Sequence, residues 1–163
     1  MFEPVTRTPW LLVLGSALLL ETIALYFQYG MQLDPCVLCV YQRGAVLGIM
    51  IGGLIGALHP RVLVVRLAGY LAIAASAGLG LRFALQHVAV LKGASFDCSF
   101  LPDFPTWLPL HEWLPWLFQP TGLCDQFDWS FLGFTMPEVM VGIFSAYLIA
   151  LLYAGARELG VLR

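Results

Sequence analysis

Four long apolar runs constrain this chain more than any other feature. A helix needs about 20 mainly apolar residues to cross the roughly 30 Å hydrocarbon core of a bilayer. Residues 10–29 meet that length, and further runs predict spans over residues 37–58, 62–88 and 138–156. We therefore predict an all-α membrane protein, a four-transmembrane-helix bundle that forms a single integral membrane domain over residues 1–163.

The composition excludes most other classes of protein. Of the 163 residues, 60% are hydrophobic and 11% are charged, whereas a soluble domain has about a quarter charged residues. A soluble fold of this size leaves roughly a third of the surface of its unfolded chain exposed, so it could not hide these side chains. The formal charge of −2 provides no basic stripe for phosphate backbones, so we expect the lipid bilayer, and no nucleic acid, as a partner.

The first span has a competing interpretation as a secretory signal peptide. Its apolar character resumes after Glu21 and no small-x-small cleavage site follows, so we favour a membrane span. Glu21 lies near the middle of this span, where a carboxyl group must be protonated or partnered. Ser76 and Tyr147, at comparable depth, are the candidate partners, and we favour a structural role for Glu21.

The apolar part of the second span is too short to cross a bilayer alone, so its helix must begin earlier. Asp34 suits an N-cap and Pro35 suits the first helical position. Gly48, Gly52 and Gly56 then recur every four residues, a small-xxx-small pattern that lets another helix approach closely. A tight turn before residue 62 makes the second and third helices an antiparallel hairpin.

The distribution of charge predicts the orientation in the membrane. By the positive-inside rule, an excess of arginines at the termini and in the short turn after the second helix makes those parts cytoplasmic. These residues are Arg7, Arg61, Arg66, Arg157 and Arg163. The loops at residues 30–36 and 92–135 then lie on the opposite face, together with all four cysteines. In a bacterial inner membrane that face is the periplasm, where disulfides persist.

The connection over residues 92–135 is much longer than a simple helix link requires. Its prolines prevent long regular helix and its tryptophans favour the headgroup layer. The residues concerned are Pro102, Pro105, Pro109, Pro115, Pro120, Trp107, Trp113, Trp116 and Trp129. We predict a long irregular loop close to the membrane surface, with an interfacial turn of helix over residues 113–118.

The spacing Cys36-Val-Leu-Cys39 is shared by zinc sites, iron–sulfur proteins and thioredoxin-type redox centres. The sequence around it lacks a βαβ pattern, and the chain has no second C-x-x-C, which weakens the thioredoxin and zinc interpretations. A helix N-terminus would stabilise a thiolate at Cys36, and Arg43 lies one turn beyond Cys39. We favour a redox-active dithiol without metal, with a static disulfide or a metal site as alternatives.

Three further polar residues fall at the outer ends of the second and third spans. Arg43 either snorkels to the interface or supplies a fixed positive charge to a thiolate or to a reduced electron acceptor. His87 and Arg82 lie at the level of Cys39 and could meet it across the bundle. His87 suits a structural histidine as well as a ligand, whereas Arg82 suits a structural role better.

Cys98 and Cys124 bracket most of the long loop. A disulfide between them would stabilise the fold by about 3 kcal/mol in the chain-entropy model. Both cysteines have polar neighbours, so a soluble protein could also reach them. A structural staple and a substrate-facing disulfide therefore both remain open.

The chain strongly resembles the DsbB family of bacterial inner-membrane disulfide bond formation proteins, over nearly its whole length. The resemblance is carried by Pro35-Cys36-Val-Leu-Cys39-Val-Tyr41-Gln-Arg43, Phe104-Pro-Thr-Trp107-Leu-Pro-Leu, Cys124 with Trp129-Ser-Phe-Leu-Gly133, and Met136-Pro137 leading to Gly142-Ile-Phe-Ser-Ala-Tyr147-Leu. It implies a disulfide oxidoreductase that reoxidises DsbA, a periplasmic thioredoxin-fold protein. The electrons would pass through two cysteine pairs to a membrane quinone, either ubiquinone or menaquinone.

The resemblance also implies roles for the four cysteines. Reduced DsbA would attack Cys98, whose loop partner is Cys124. Cys36 would exchange with Cys124, and Cys39 would face the quinone.

Three more residues gain cofactor-binding roles from the same resemblance. Arg43 would stabilise the charged thiolate–quinone state, His87 would lie nearby on the third helix, and Met136 would be a further quinone contact. Gln42 departs from the family, whose best-known member has an acidic residue there, so the local charge differs.

Two other functions are compatible with parts of the sequence. One is a non-enzymatic four-span scaffold with two permanent disulfides and a partner-binding loop. The other is a bundle of the vitamin K epoxide reductase type, which also couples a C-x-x-C to a quinone but lacks the match along the whole chain.

Overall fold

The computed structural model describes residues 6–94, 98, 102–104, 108–124 and 130–158, and it is mostly helical. In chain order the elements are α1 (Thr8–Leu25), a π-helical turn (Tyr26–Gly30), α2 (Val37–Leu58), α3 (Leu63–Leu91), α4 (Leu110–Trp113), α5 (Pro115–Phe118), β1 (Ser130–Phe131), β2 (Phe134–Thr135) and α6 (Met136–Glu158). α1 with its π turn, α2, α3 and α6 are each long and apolar enough to cross a membrane. The prediction of a four-helix membrane bundle is therefore confirmed.

α2 begins two residues later than its predicted caps required. Its N-cap is Cys36, whose sulfur accepts a hydrogen bond from the backbone N–H of Cys39 at 3.2 Å. The prediction that Asp34 caps this helix and Pro35 opens it is wrong. The side chain of Asp34 instead accepts a hydrogen bond from the Thr121 hydroxyl at 2.9 Å.

The glycine face of α2 forms the closest helix contacts of the bundle, as its spacing predicted. Gly48 packs against Ser76, and Gly52 packs against the backbone of Gly69, both on α3. Gly56 packs under the indole ring of Trp10 on α1. A side chain at any of these three glycines would overlap its neighbour, so the pattern sets the distances between α1, α2 and α3.

α6 completes the bundle by packing on α3, where the ring of Phe144 covers Gly80. The central core also contains Trp10, Ile49 and Ile73, all nearly inaccessible. Many large apolar side chains face outward instead. Examples spread over the four long helices are Leu12, Leu19, Leu54, Val64, Leu71, Ile149 and Leu152. This outward apolar surface is what a bundle needs when lipid is its solvent.

A polar network joins the helices at one end of the bundle, which we call the basic end. There Arg66 on α3 pairs with Glu158 on α6 at 3.2 Å, and the Tyr70 hydroxyl donates to the same carboxylate at 2.6 Å. Arg7, before α1, donates to the carbonyl of Leu58 at the end of α2. We call the opposite end, which holds Cys36, the cysteine end.

The long loop contains more regular structure than we predicted. In place of one helical turn over residues 113–118, α4 and α5 are separate short helices interrupted at Leu114. A two-residue antiparallel hairpin, β1–β2, leads into α6. Trp113 and Trp116 are exposed, which suits an interfacial position, whereas Trp107 and Trp129 lie outside the described residues.

Candidate functional site

The Cys36–Cys39 pair lies at the start of α2, with both sulfurs at the cysteine end. The backbone of Cys36 is extended and Cys39 lies one helical turn further on, which brings the two Sγ atoms to 2.6 Å. Cys36 is 2% exposed, whereas Cys39 is partly accessible. The two thiols can therefore join as a disulfide with only small side-chain movements.

The two sulfurs of this pair are not equivalent. The hydrogen bond to the Cys39 side chain, followed by burial, raises the pKa of the Cys36 thiol. The predicted effect of the helix N-terminus is present, because the backbone N–H groups of Leu38 and Cys39 lower the pKa of Cys36, but the side-chain hydrogen bond and burial outweigh it. The two sulfurs therefore differ in their surroundings, since Cys36 is the more deeply buried and Cys39 lies one turn inside α2.

His87 on α3 joins the dithiol to the long loop. Its Nε2 atom lies 3.7 Å from Cys36 Sγ and 3.2 Å from the backbone carbonyl oxygen of Cys124. Its Nδ1 atom lies 3.4 Å from the amide nitrogen of Gln42. This network assigns the tautomer, because Gln42 donates to Nδ1 and leaves the Nε2 proton to be donated to the Cys124 carbonyl.

The prediction that His87 meets the dithiol across the bundle is thus confirmed. Arg82, which the sequence also allowed to meet the dithiol, is exposed on α3 instead.

Cys98 and Cys124 form a disulfide. Cys124 is 2% exposed and packs in one cluster with Cys36, Val37 and Leu38, whereas Cys98 is only partly buried against that cluster. The expectation that a soluble protein could reach both cysteines is wrong for Cys124. The loop disulfide therefore presents one sulfur outward and the other toward the dithiol.

Backbone contacts between two segments far apart in the chain place Cys124 beside Cys36. The backbone N–H groups of Thr121 and Gly122 both donate to the carbonyl oxygen of Pro35, at 2.9 and 3.1 Å. Gly122 lies so close to the backbone of Asp34 that a Cβ atom there would overlap it. The segment before Cys124 is thereby clamped onto the segment before α2.

A cavity of about 270 Å³ opens between α1, α2 and α6, beside the dithiol. Most of its lining is apolar, and Met136, Pro137 and Met140 form the α6 side. Its polar lining residues are Glu21, Asp34, Cys39, Gln42, Arg43 and His87. Cys39 is the one cysteine among the lining residues.

Arg43 is buried and held by three acceptors from different parts of the chain. Its guanidinium donates to the carbonyl oxygens of Ala24 on α1 and Leu117 on α5, at 3.1 and 3.2 Å. A third, short hydrogen bond goes to the side-chain oxygen of Gln28. At 9% exposed, Arg43 is surrounded by protein groups, which favours the interpretation as a fixed charge within the bundle over simple snorkelling.

The surroundings of Glu21 also differ from those predicted. The two candidate partners are engaged elsewhere, since Tyr147 hydrogen-bonds to Ser16 at 2.8 Å and Ser76 packs against Gly48. Glu21 is 6% exposed, and among the described residues neither of its carboxyl oxygens has a hydrogen-bond partner.

The sulfurs of Cys36 and Cys39 and a ring nitrogen of His87 lie within 4.8 Å of one another. Two thiolates and an imidazole are donors that a soft metal ion accepts. Here, however, the Nε2 atom nearest the sulfurs is used to donate to the Cys124 carbonyl. In the observed arrangement, His87 Nε2 lies between Cys36 Sγ and the backbone carbonyl of Cys124.

The sequence did not indicate that Gln28, Gln42 and the Leu117 carbonyl would join this site. Of these three, only Gln42 stood out in the sequence, because it lies next to Arg43 and differs from the acidic residue of the best-known family member. The other two come from the π turn and from the long loop, whose placement depends on tertiary packing.

Together, the fold and the site define a class: a multi-span membrane protein in which a buried dithiol lies between a loop disulfide and a largely apolar cavity. Residues 6–154 match the family described as disulfide bond formation protein DsbB, and the chain belongs to that family.

Curated relatives agree with this assignment. The chain is 52% identical over 149 residues to disulfide bond formation protein B of Shewanella sp. (strain ANA-3), a match that covers 90% of this chain and 85% of the relative. Identity to the protein of that name from Psychromonas ingrahamii is 51% over 143 residues, covering 86% and 77% of the two chains. Identity to the one from Pseudoalteromonas translucida is 46% over 154 residues, covering 91% and 90%. Disulfide bond formation is therefore the general function of its relatives.

Proposed function

We propose that this protein is a quinone-dependent protein-dithiol oxidase of the bacterial inner membrane. It reoxidises a periplasmic DsbA-type thioredoxin-fold protein and passes the electrons through its two cysteine pairs to ubiquinone or menaquinone. The observation that carries the proposal is a continuous sequence of contacts. The Cys98–Cys124 disulfide packs against Cys36, and Cys39 lines the cavity.

The first exchange takes place at the loop disulfide. A thiolate of the soluble partner attacks Cys98, the more accessible sulfur, and Cys124 leaves as a thiolate. The second thiol of the partner, as a thiolate, then attacks its own sulfur in the mixed disulfide, which releases Cys98. The partner thereby gains a disulfide, and the loop pair gains two electrons.

The second exchange takes place inside the protein. With Cys36 and Cys39 oxidised to a disulfide, the Cys124 thiolate attacks Cys36, and Cys39 leaves as a thiolate at the cavity. The Cys98 thiolate then attacks the Cys124 sulfur of the Cys36–Cys124 disulfide. Cys36 leaves as a thiolate, and the loop disulfide is restored. His87 supports this exchange because its Nε2–H group binds the Cys124 carbonyl beside Cys36 Sγ.

The cavity suits a quinone head group, which is flat and apolar with two carbonyl oxygens. The apolar lining would hold the ring, with Met136 on the α6 side. Three of the five guanidinium donors of Arg43 engage protein acceptors among the described residues, which leaves two for a ligand oxygen. A bound quinone supplies an acceptor for two electrons and two protons, and Arg43 stabilises the negative charge of the Cys39 thiolate beside it.

The orientation that this function requires follows from the charges. The basic end faces the cytoplasm with both termini, and the cysteine end faces the periplasm with the loops at residues 30–36 and 92–135. An oxidising compartment then surrounds the loop disulfide.

The test is anaerobic titration of the purified protein with a reduced DsbA-type protein and each quinone in turn. We expect one quinol per partner disulfide, and we expect Cys39→Ser to abolish quinone reduction while Cys98 still reacts with the partner. Cys124→Ser should trap a mixed disulfide at Cys98. A scaffold would show no quinone reduction in the wild-type protein, and an adduct at Cys36 would contradict the order of exchange.

A further inference from the structure

The structure leaves one buried ionisable group at the cavity without a partner. Glu21 on α1 lines the cavity together with Cys39 and Arg43. Three other polar side chains of this wall are engaged: Arg43 with three acceptors, and Gln42 and His87 with each other. Within the described part of the chain, both oxygens of Glu21 lack a hydrogen bond.

An unpartnered carboxyl group in this position is unfavourable for folding. Leaving a buried polar group unsatisfied costs about 1–3 kcal/mol, and more if the group is charged. Inside a membrane-spanning helix, the neutral form is the less costly one. Glu21 therefore carries a proton at the wall of this cavity and can present it to a ligand bound there. A buried polar group kept at such a cost calls for a functional explanation.

We propose that Glu21 is a catalytic proton donor to the electron acceptor in this cavity. The inference deepens the proposed function and rests on it. Oxidation of the Cys36–Cys39 dithiol releases two electrons and two protons, and a quinone takes up both electrons and both protons. Glu21 transfers one proton: its O–H bond breaks as an O–H bond forms on an acceptor oxygen.

The carboxylate formed in this step is restored within the same turnover. One of the two protons released by the dithiol returns to Glu21, so the net reaction leaves the carboxyl group unchanged. Arg43 lines the same cavity, and its positive charge stabilises the carboxylate during the interval. Because most of the lining is apolar, few other groups of the wall can deliver the proton.

The test compares Glu21→Gln with Glu21→Asp and with a matched control, Thr22→Val. Gln retains the shape of the neutral acid but cannot donate a proton in this way, whereas Asp retains the acid on a shorter side chain. Thr22 is the next residue of α1, is exposed, and bonds only locally to the Leu18 carbonyl in the described structure. Quinone-dependent turnover, disulfide exchange with the soluble partner and thermal unfolding are measured for each variant.

We expect Glu21→Gln to lower turnover by about 100-fold or more, the usual contribution of general acid catalysis. Disulfide exchange and the unfolding temperature should stay at wild-type values, Glu21→Asp should recover part of the rate, and Thr22→Val should match wild type. Turnover of Glu21→Gln at the wild-type rate would overturn the proposal.

A second readout does not depend on turnover. Infrared spectra of the quinone-free protein at neutral pH should contain a protonated-carboxyl C=O band that Glu21→Gln removes. Absence of that band would show Glu21 to be ionised and would also overturn the proposal. If the wild-type protein reduces no quinone, the proposed function fails, and the infrared result still decides the protonation state of Glu21.

Discussion

Arg43 connects three separate parts of the molecule through one guanidinium group. Its acceptors belong to α1, to the π turn and to α5 of the long loop, and the residue itself lies on α2. Removing the side chain therefore removes a charge from the cavity and also leaves buried acceptors without a donor. A hydrogen bond from a charged donor contributes about 1.5–3 kcal/mol.

At the scale of this residue, we predict that Arg43→Ala lowers apparent quinone affinity or maximal rate by about 10- to 100-fold, the equivalent of one charge-assisted hydrogen bond. Exchange between the soluble partner and the Cys98–Cys124 disulfide should be nearly intact. Lysine should rescue only in part, because it keeps the charge but loses the planar, multi-donor group. The measurement is quinone-dependent turnover, normalised to folded protein, over a range of quinone concentrations.

Arg82→Ala is the matched control, since Arg82 is an exposed arginine near the same end of the bundle. It should leave turnover unchanged. Unchanged affinity and rate in Arg43→Ala would remove this residue from the site and leave it a purely structural role.

At the scale of the elements, the glycine face of α2 determines how closely the helices approach. Gly52 and Gly69 pack backbone to backbone, with Ile73 beside them. This contact holds the hairpin of α2 and α3 together. It therefore also holds Cys36, Gln42 and His87 in register, although they lie several turns away.

We predict that Gly52→Ala destabilises the protein by about 1–3 kcal/mol, because the added methyl group overpacks a contact that includes rigid backbone. Gly78→Ala on α3 is the matched control, since no atom lies within 4 Å of the position of its Cβ. That substitution should be neutral or stabilising by up to about 1 kcal/mol, the difference in helix propensity. Thermal unfolding in detergent measures both, and equal stability of the two variants would contradict the packing.

At the scale of the whole molecule, the two ends of the bundle have different chemistry. The basic end holds Arg7 and the Arg66–Glu158 ion pair, whereas the cysteine end holds the dithiol, the loop disulfide and the cavity. By the positive-inside rule, this asymmetry predicts which end faces each side of the membrane.

We predict that topology reporters place Glu3, Arg61 and Arg163 on the cytoplasmic side and residues 92–135 on the opposite side. The arginines at the basic end require this orientation by the positive-inside rule. Fusions after Arg61 and after Phe104, each assayed with a reporter active on only one side, make the comparison. Cytoplasmic behaviour of the fusion after Phe104 would contradict both the orientation and the oxidising compartment.

The sequence by itself determined the four spans, the hairpin of α2 and α3, and the glycine contacts. Each of these depends on local length, apolar character or helical spacing, which a sequence displays directly. The two cysteine pairs were also evident, because a C-x-x-C is a local motif and the resemblance to the family implied the pairing of the other two cysteines.

Only the tertiary structure decided how those residues meet. That Cys124 is buried while Cys98 is accessible follows from the clamp of Thr121 and Gly122 onto Pro35, a contact between segments far apart in the chain. The burial of Arg43 and the unpartnered carboxyl of Glu21 likewise depend on which groups the packed helices bring within bonding distance. The physical reason is that hydrogen bonding and burial are properties of neighbours in space, and sequence spacing specifies neighbours only within one helix.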